Sequence, residues 1–301
     1  GVTDAPADQV RGHRMLHHRS DVTCPCSRSR CIFLTCGPHS DYPWEIRGCN
    51  GGERAAGQVT EVRLQSGDAG SSRMSGSRKL VAMACDEEYL YPWAVSLVSL
   101  AQQSSRPFEL WFGLTQDWPT RLRPESLERL QSLGASLGIG LRLVETPLSV
   151  KDLPSEMHIS PTAFIKPALF DLCPADATMV WLDADTTVRG DMHDLVALAA
   201  GHAVSGVHEP NATFESSWPA GGSNWYVNTG VVVVDGFQWR ELFQGTWMPL
   251  MSEYTKHQFK FLDQDVLNAV VRDRWNLLPE TYNFRPSHAK VWGNPCIVHY
   301  A

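Results

Sequence analysis

No apolar run in this chain reaches the roughly 20 residues that a membrane-spanning helix needs. The stretch Cys31-Ile-Phe-Leu-Thr35 is too short for a span or for the core of a signal peptide. A transmembrane segment is therefore excluded from the reading, while contact with a membrane surface stays open. Positive charge is also short. Lys and Arg number 26 against 33 Asp and Glu, for a net charge of -7. Surfaces that follow phosphate backbones are basic, so nucleic acid is excluded as the main partner. Cysteine is scarce beyond residue 50, where only Cys85, Cys173 and Cys296 occur, far apart. A large domain with so few scattered cysteines reads as reduced and cytoplasmic. Cys24, Cys26, Cys31, Cys36 and Cys49 crowd the start, but their spacing C-x-C-x4-C-x4-C fits no usual zinc knuckle.

What is present divides in two. Residues 1–78 contain no lysine and no sustained apolar period, and are rich in Arg, Ser, Gly and Asp. Such composition predicts a disordered or poorly packed extension. Met74 stands just before Lys79-Leu80, where patterned sequence begins. The expectation is that Met74 is the native start, with a real flexible tail as the alternative. Apolar residues make up 43% of the chain, ample for a sizeable core.

From Lys79 the pattern alternates. Lys79–Cys85 is an apolar strand, Tyr89–Gln103 an amphipathic helix, Phe108–Leu114 a second strand. Thr120–Leu133 reads as a helix stopped by Gly134, Leu141–Glu145 as a third strand. Ser160 and Pro161 read as the N-cap and first residue of a helix running to Cys173, and Thr178–Asp183 as a fourth strand. Strands alternating with helices predict an α/β fold: a mostly parallel central sheet flanked by helices on both faces, spanning residues 79–301. Ligands on such sheets bind beyond the carboxyl ends of the strands. Cys85-Asp86 and Asp183-Ala184-Asp185 both fall there.

The apolar run Met179–Leu182 leads straight into Asp183 and Asp185, one residue apart. Burying a carboxylate is costly unless it is paired or metal-bound. A turn-forming Asp pair accounts for one carboxylate more readily than for two. The segment Val180–Val188 also satisfies the DxDx[TV] pattern of haloacid-dehalogenase-type phosphohydrolases, with Asp183 and Asp185 as nucleophile and general acid. That motif normally ends the first strand of its domain, whereas here roughly a hundred patterned residues precede it. The remaining reading is a pair of oxygen ligands for a divalent cation that also holds a diphosphate.

Downstream, Asn228-Thr-Gly opens a second apolar strand ending at Asp235. Asp263-Gln264-Asp265 stands at a helix start, where carboxylates suit the dipole. Leu277–Phe284 follows, and Cys296-Ile-Val-His-Tyr-Ala301 ends the chain. In this order the motifs resemble glycosyltransferase family 8, which includes glycogenin and bacterial lipopolysaccharide galactosyl- and glucosyltransferases. The likeness runs from about Leu80 to the end.

The resemblance implies the GT-A nucleotide-diphospho-sugar transferase fold and a metal-dependent, retaining hexosyltransferase. It implies a UDP-sugar donor such as UDP-glucose or UDP-galactose, a sugar or glycan hydroxyl as acceptor, and Mn2+ or Mg2+. By the same resemblance Ala84 and Cys85 supply backbone contacts to the nucleotide, Asp86 bonds the base, and Glu88 and Tyr89 pack nearby. Asp183 and Asp185, flanking Ala184, bind metal and diphosphate, with His299 as the third protein ligand. Asn228, Asp263 and Gln264 line the sugar pocket, Gln264 beside the anomeric carbon, and His158 approaches donor or acceptor. The aromatics of Phe214–Tyr226 suit an acceptor-side loop. No residue stands out as a nucleophile, and a non-catalytic sugar-nucleotide binder is the other alternative.

This sequence departs from the family in two places. Lys166 stands where the family usually has Arg, a point charge in place of a planar fork. The family also continues past the His-Tyr pair into a Gly-x-x-Lys-Pro-Trp-like segment, so a domain truncated at its C-terminus is expected.

Overall fold

A computed structural model describes residues 78–115, 122–149, 161–210, 225–252, 261–287 and 293–301, together with the backbone of 32–36 and 44–48. Within the segment read as unstructured, β1 (Ile32–Cys36) and β2 (Trp44–Gly48) pair as an antiparallel hairpin.

The parallel half of the main sheet follows the predicted alternation. It holds β3 (Arg78–Met83), β4 (Glu109–Leu114), β5 (Gly140–Glu145) and β6 (Ala177–Leu182). Helices α1 (Leu90–Gln103), α2 (Pro124–Leu137) and α3 (Ile165–Leu172) lie between them. β3 pairs in parallel with both β4 and β6, and β4 with β5. The other half holds β8 (Val204–His208), β9 (Val227–Asp235) and β10 (Asn276–Leu278), with helix α4 (Met192–Leu198) before β8 and helices α5 (Gly236–Leu242) and α6 (Met248–Ser252) after β9. The sheet order is β10-β8-β9-β6-β3-β4-β5, with β9 antiparallel to both β6 and β8. Val231–Val234 are at most 1% exposed, which is why β9 reads as an unbroken valine run.

Helix α2 ends later than its sequence predicts. Gly138, with φ 69°, is the left-handed terminator. Gly134 instead lies inside the helix, where a Cβ would stand 3.1 Å from Leu141 Cβ, so it serves close helix–strand packing. The helix starts at Pro124, four residues beyond Thr120. Before α3, Pro161–Phe164 form a 3-10 turn rather than the first α turn, and Ser160 lies outside the described residues. Pro167 is tolerated in α3 because the first-turn N–H groups have no intrahelical partner.

Three features place residues at the sheet's carboxyl edge. β7 (Thr186–Val188) pairs antiparallel with β11 (Ile297–His299), bringing the end of the chain beside Asp183-Ala184-Asp185. β9 bulges: Gly206 and Val207, adjacent on β8, pair with Val232 and Asn228, so three residues, Thr229 to Val231, are released from β8. Bulges of this kind re-aim side chains next to active sites. Finally α7 (Leu262–Val271) packs through Leu262 and Val266 on Leu148, Phe164, Ala168 and Trp247, a small second core. Leu262 is fully buried with φ 41°, a conformation L-residues rarely adopt, and the chain turns there just before Asp263.

Candidate active site

The turn after β6 is fixed from both sides. The Asp183 N–H donates to the Gly230 carbonyl at 2.9 Å. The Thr186 hydroxyl donates to the Asp183 carbonyl at 2.8 Å and meets Ser96 Oγ of α1 at 2.9 Å. The Tyr300 N–H donates to the Asp185 carbonyl at 3.1 Å. On this frame one ligand atom each from Asp183, Asp185 and His299 lie within 4.8 Å of one another. His299 Nε2 is 3.4 Å from Asp185 Oδ1 and 3.7 Å from Asp183 Oδ2. His299 is buried, whereas both carboxylates face outward in part.

Behind this trio sits Lys166, 2% exposed. Its Nζ is 2.7 Å from Asp263 Oδ2 and 3.3 Å from Asp183 Oδ1, and it donates to the Thr229 carbonyl at 2.8 Å. It also lies over the Trp181 ring, whose Nε1–H donates to Asp183 Oδ1 at 2.5 Å. Burial alone would pull the ammonium down; the Asp183 and Asp263 carboxylates overcome it and raise the pKa above the ordinary lysine value. Burial pushes the Asp263 carboxyl up against the pull of Lys166. The adjacent Gln264 is held at both ends. Its Oε1 accepts from the Thr229 N–H at 3.1 Å, and its Nε2–H donates to the Tyr226 hydroxyl at 3.2 Å. Tyr226 in turn donates to Asp265 Oδ1 at 2.5 Å.

The β3 end joins the same crevice. Asp86 Oδ1 accepts from the N–H groups of Glu88 and Tyr89 at 3.2 and 3.3 Å, which turns the chain into α1. Cys85 is buried, Ala84 half-buried. Burial raises the Tyr89 phenol, and Asp185, Asp86, Glu88 and Asp183 raise it further. A crevice this negative repels a diphosphate unless a cation neutralises it.

The structure thus brings Asp183, Asp185, His299, Lys166, Asp263, Gln264 and Asn228 to one place, with Tyr89 and Asp86 at its rim. His158 lies outside the described residues. Asn228 is 7% exposed, and its side chain bonds protein groups: Oδ1 accepts from the Gly230 N–H at 3.0 Å and from Asn283 Nδ2 at 2.8 Å. Sequence reading gave no role to Thr229 or Asn283, and it set Tyr226 among the aromatics of an acceptor-side loop, whereas Tyr226 is buried and bonds Asp265 and Gln264. Nor did it single out Glu209 and Arg285, a buried ion pair whose Glu209 Oε2 lies 3.5 Å from Asn228 Nδ2. These residues act on other protein groups across the fold, which linear spacing does not encode.

The profile of Glycosyl transferase family 8 matches residues 80–301. Among curated relatives, General stress protein A of Bacillus subtilis is 23% identical over 202 residues, 60% of this chain and 71% of that protein. A lipopolysaccharide 1,2-glucosyltransferase of Escherichia coli is 25% identical over 215 residues, 67% of this chain and 61% of that one. Among solved structures, the galactosyltransferase LgtC in complex with donor and acceptor sugar analogs superposes with a TM-score of 0.61 at 17% identity, over 74% of this chain and 87% of that one. The phosphohydrolase alternative gives way to this match. With its matching profile and GT-A fold, the chain belongs to glycosyl transferase family 8 and is a glycosyltransferase.

Proposed function

We propose that this protein moves a hexose from a UDP-sugar, UDP-glucose or UDP-galactose, to a hydroxyl of a sugar or glycan with retention of anomeric configuration. The observation that carries the reading is the convergence of Asp183, Asp185 and His299 at the carboxyl edge of the sheet. Two carboxylates and an imidazole suit Mn2+ or Mg2+, and Asp183, Asp185 and His299 would hold it. Such a cation, when bound, neutralises the departing diphosphate.

The chain's own residues do the rest. Lys166 compensates the charge of both Asp183 and Asp263, so both can be held close to a bound donor. Gln264, clamped between Thr229 and Tyr226, is preorganised beside the sugar, where fixed dipoles stabilise the oxocarbenium-like centre without reorganising. Ala84, Cys85, Asp86 and Tyr89 are assigned to the nucleotide. Residues 79–301 form the catalytic domain in this reading, the site of action is the cytoplasm, and residues 1–78 are an extension.

Incubation with UDP-glucose or UDP-galactose and Mn2+ tests the proposal. UDP release that requires the metal is expected. Release of p-nitrophenol from p-nitrophenyl phosphate with Mg2+, and none of UDP, would overturn it.

A further inference from the structure

A line of polar groups behind the metal trio determines which nitrogen of His299 carries a proton. The Gly230 N–H can only donate, and it meets Asn228 Oδ1 at 3.0 Å, so that end of the amide is the carbonyl. Asn228 Nδ2 then points to Glu209, which the Arg285 guanidinium holds through both nitrogens, Nη2 at 2.6 Å. The Asn228 oxygen needs donors, and Asn283 Nδ2 supplies one at 2.8 Å. This leaves Asn283 Oδ1, an acceptor only, facing His299 Nδ1 at 2.9 Å. Nδ1 must therefore carry the hydrogen, and in a neutral imidazole Nε2 is then bare.

Nε2 is the atom aimed at Asp183 and Asp185. Three lone-pair atoms converging with no proton between them are set for a cation. The reverse arrangement, Nε2–H donating to Asp185, would turn the Asn283 amide over and set its oxygen against that of Asn228. Burial removes water as a substitute partner, since Asn283 is 2% and His299 3% exposed. The ring also lies close against the chain, because a Cβ at Gly230 would clash with His299 Cε1.

We propose that Asn283, oriented through Asn228 by the Gly230 N–H, is a positioning residue that fixes His299 in its Nδ1–H form before any cation binds. The inference rests on the metal reading above for its purpose, though not for its geometry. Groups that orient a metal-bound histidine typically set about 10–100-fold of metal affinity.

The test begins with metal-stripped, 15N-histidine-labelled protein, at a pH alkaline enough that the ring holds one proton. Long-range 1H–15N spectra distinguish the two tautomers, and His299→Gln identifies the resonance among the 11 histidines. The wild-type chain shows protonated Nδ1 and bare Nε2. Asn283→Leu removes the acceptor: the tautomer shifts to Nε2–H, and Mn2+ alone, by calorimetry, binds about 10–100-fold more weakly. Asn283→Asp keeps an acceptor for Nδ1–H, so it retains the tautomer and binds Mn2+ within a few-fold of wild type; a merely structural Asn283 would not be rescued this way. An Nε2–H wild-type ring overturns the proposal even if Asn283→Leu does not fold, as does an Asn283→Asp variant equal to Asn283→Leu. A wild-type Nδ1–H ring with no Mn2+ binding supports the positioning and contradicts the metal reading instead.

Discussion

Lys166 shows how far a single residue can be read before its surroundings are known. Its place in a helix ahead of the acidic pair was legible, and so was its substitution for the family's arginine. Its partners were not, because Thr229 and Asp263 follow it by 63 and 97 residues and meet it only across the sheet edge. A compact ammonium can approach Asp183, Asp263 and the Thr229 carbonyl together, which a planar fork matches less well. Removing one partner of a buried ion pair typically costs about 3–5 kcal/mol, since the remaining charge is stranded. Lys166→Met should therefore lose about that much stability at neutral pH by urea unfolding. A loss under about 1 kcal/mol would show that water already reaches the carboxylates. Asn283 stands at the other extreme. It lies inside a stretch that drew notice in the sequence, yet its side-chain bonds run to Asn228 and His299, so no local pattern marks it.

At the scale of elements, the parallel strands were legible because each is an apolar run between helical periods. The ends of α2 were not, since Gly134 and Gly138 look alike in sequence and only packing against Leu141 separates them. The antiparallel direction of β9 and its bulge were also hidden: a valine run is the same read either way. At the opposite edge of the sheet from the site, Glu109 ties three strands. Its carboxylate lies 2.6 Å from Arg78 Nη2 on β3 and 3.8 Å from Arg142 Nη1 on β5, and accepts from Trp111 Nε1 at 2.7 Å on β4. Burial pushes Glu109 up, but the Trp111 and Arg78 bonds and the Arg charges bring it below the ordinary Glu value. A depressed carboxylate stabilises above its unfolded pKa, and that contribution disappears as pH falls through the folded one. Partly exposed pairs contribute little, so Glu109→Gln should cost less than about 1 kcal/mol at neutral pH. The difference from wild type should vanish at a pH below the folded pKa, as read from melting temperatures. An effect that persists in acid would place the stabilisation in packing instead.

For the molecule as a whole, the family was legible because its motifs occur in one order over residues 80–301, the span that the family profile matches. The arrangement explains why those motifs lie so far apart in sequence: the ends of β3, β6 and β11, the β9 bulge and the start of α7 all meet at one edge. No helix among the described residues is long and apolar enough to cross a membrane. The crevice at that edge is negative, lined by Asp86, Glu88, Asp183 and Asp185 around Tyr89. A UDP-sugar carries negative charge too, so the account requires cation and diphosphate to bind as one unit. Calorimetric titration of UDP into wild-type protein and Asp185→Ala, each with and without Mn2+, tests this most directly. The account predicts that wild type binds UDP well only with Mn2+. It predicts that Asp185→Ala loses Mn2+ and UDP affinity together, by more than the roughly 10–100-fold typical of losing a group that only orients a ligand. Unchanged Mn2+-dependent UDP affinity in Asp185→Ala would contradict it.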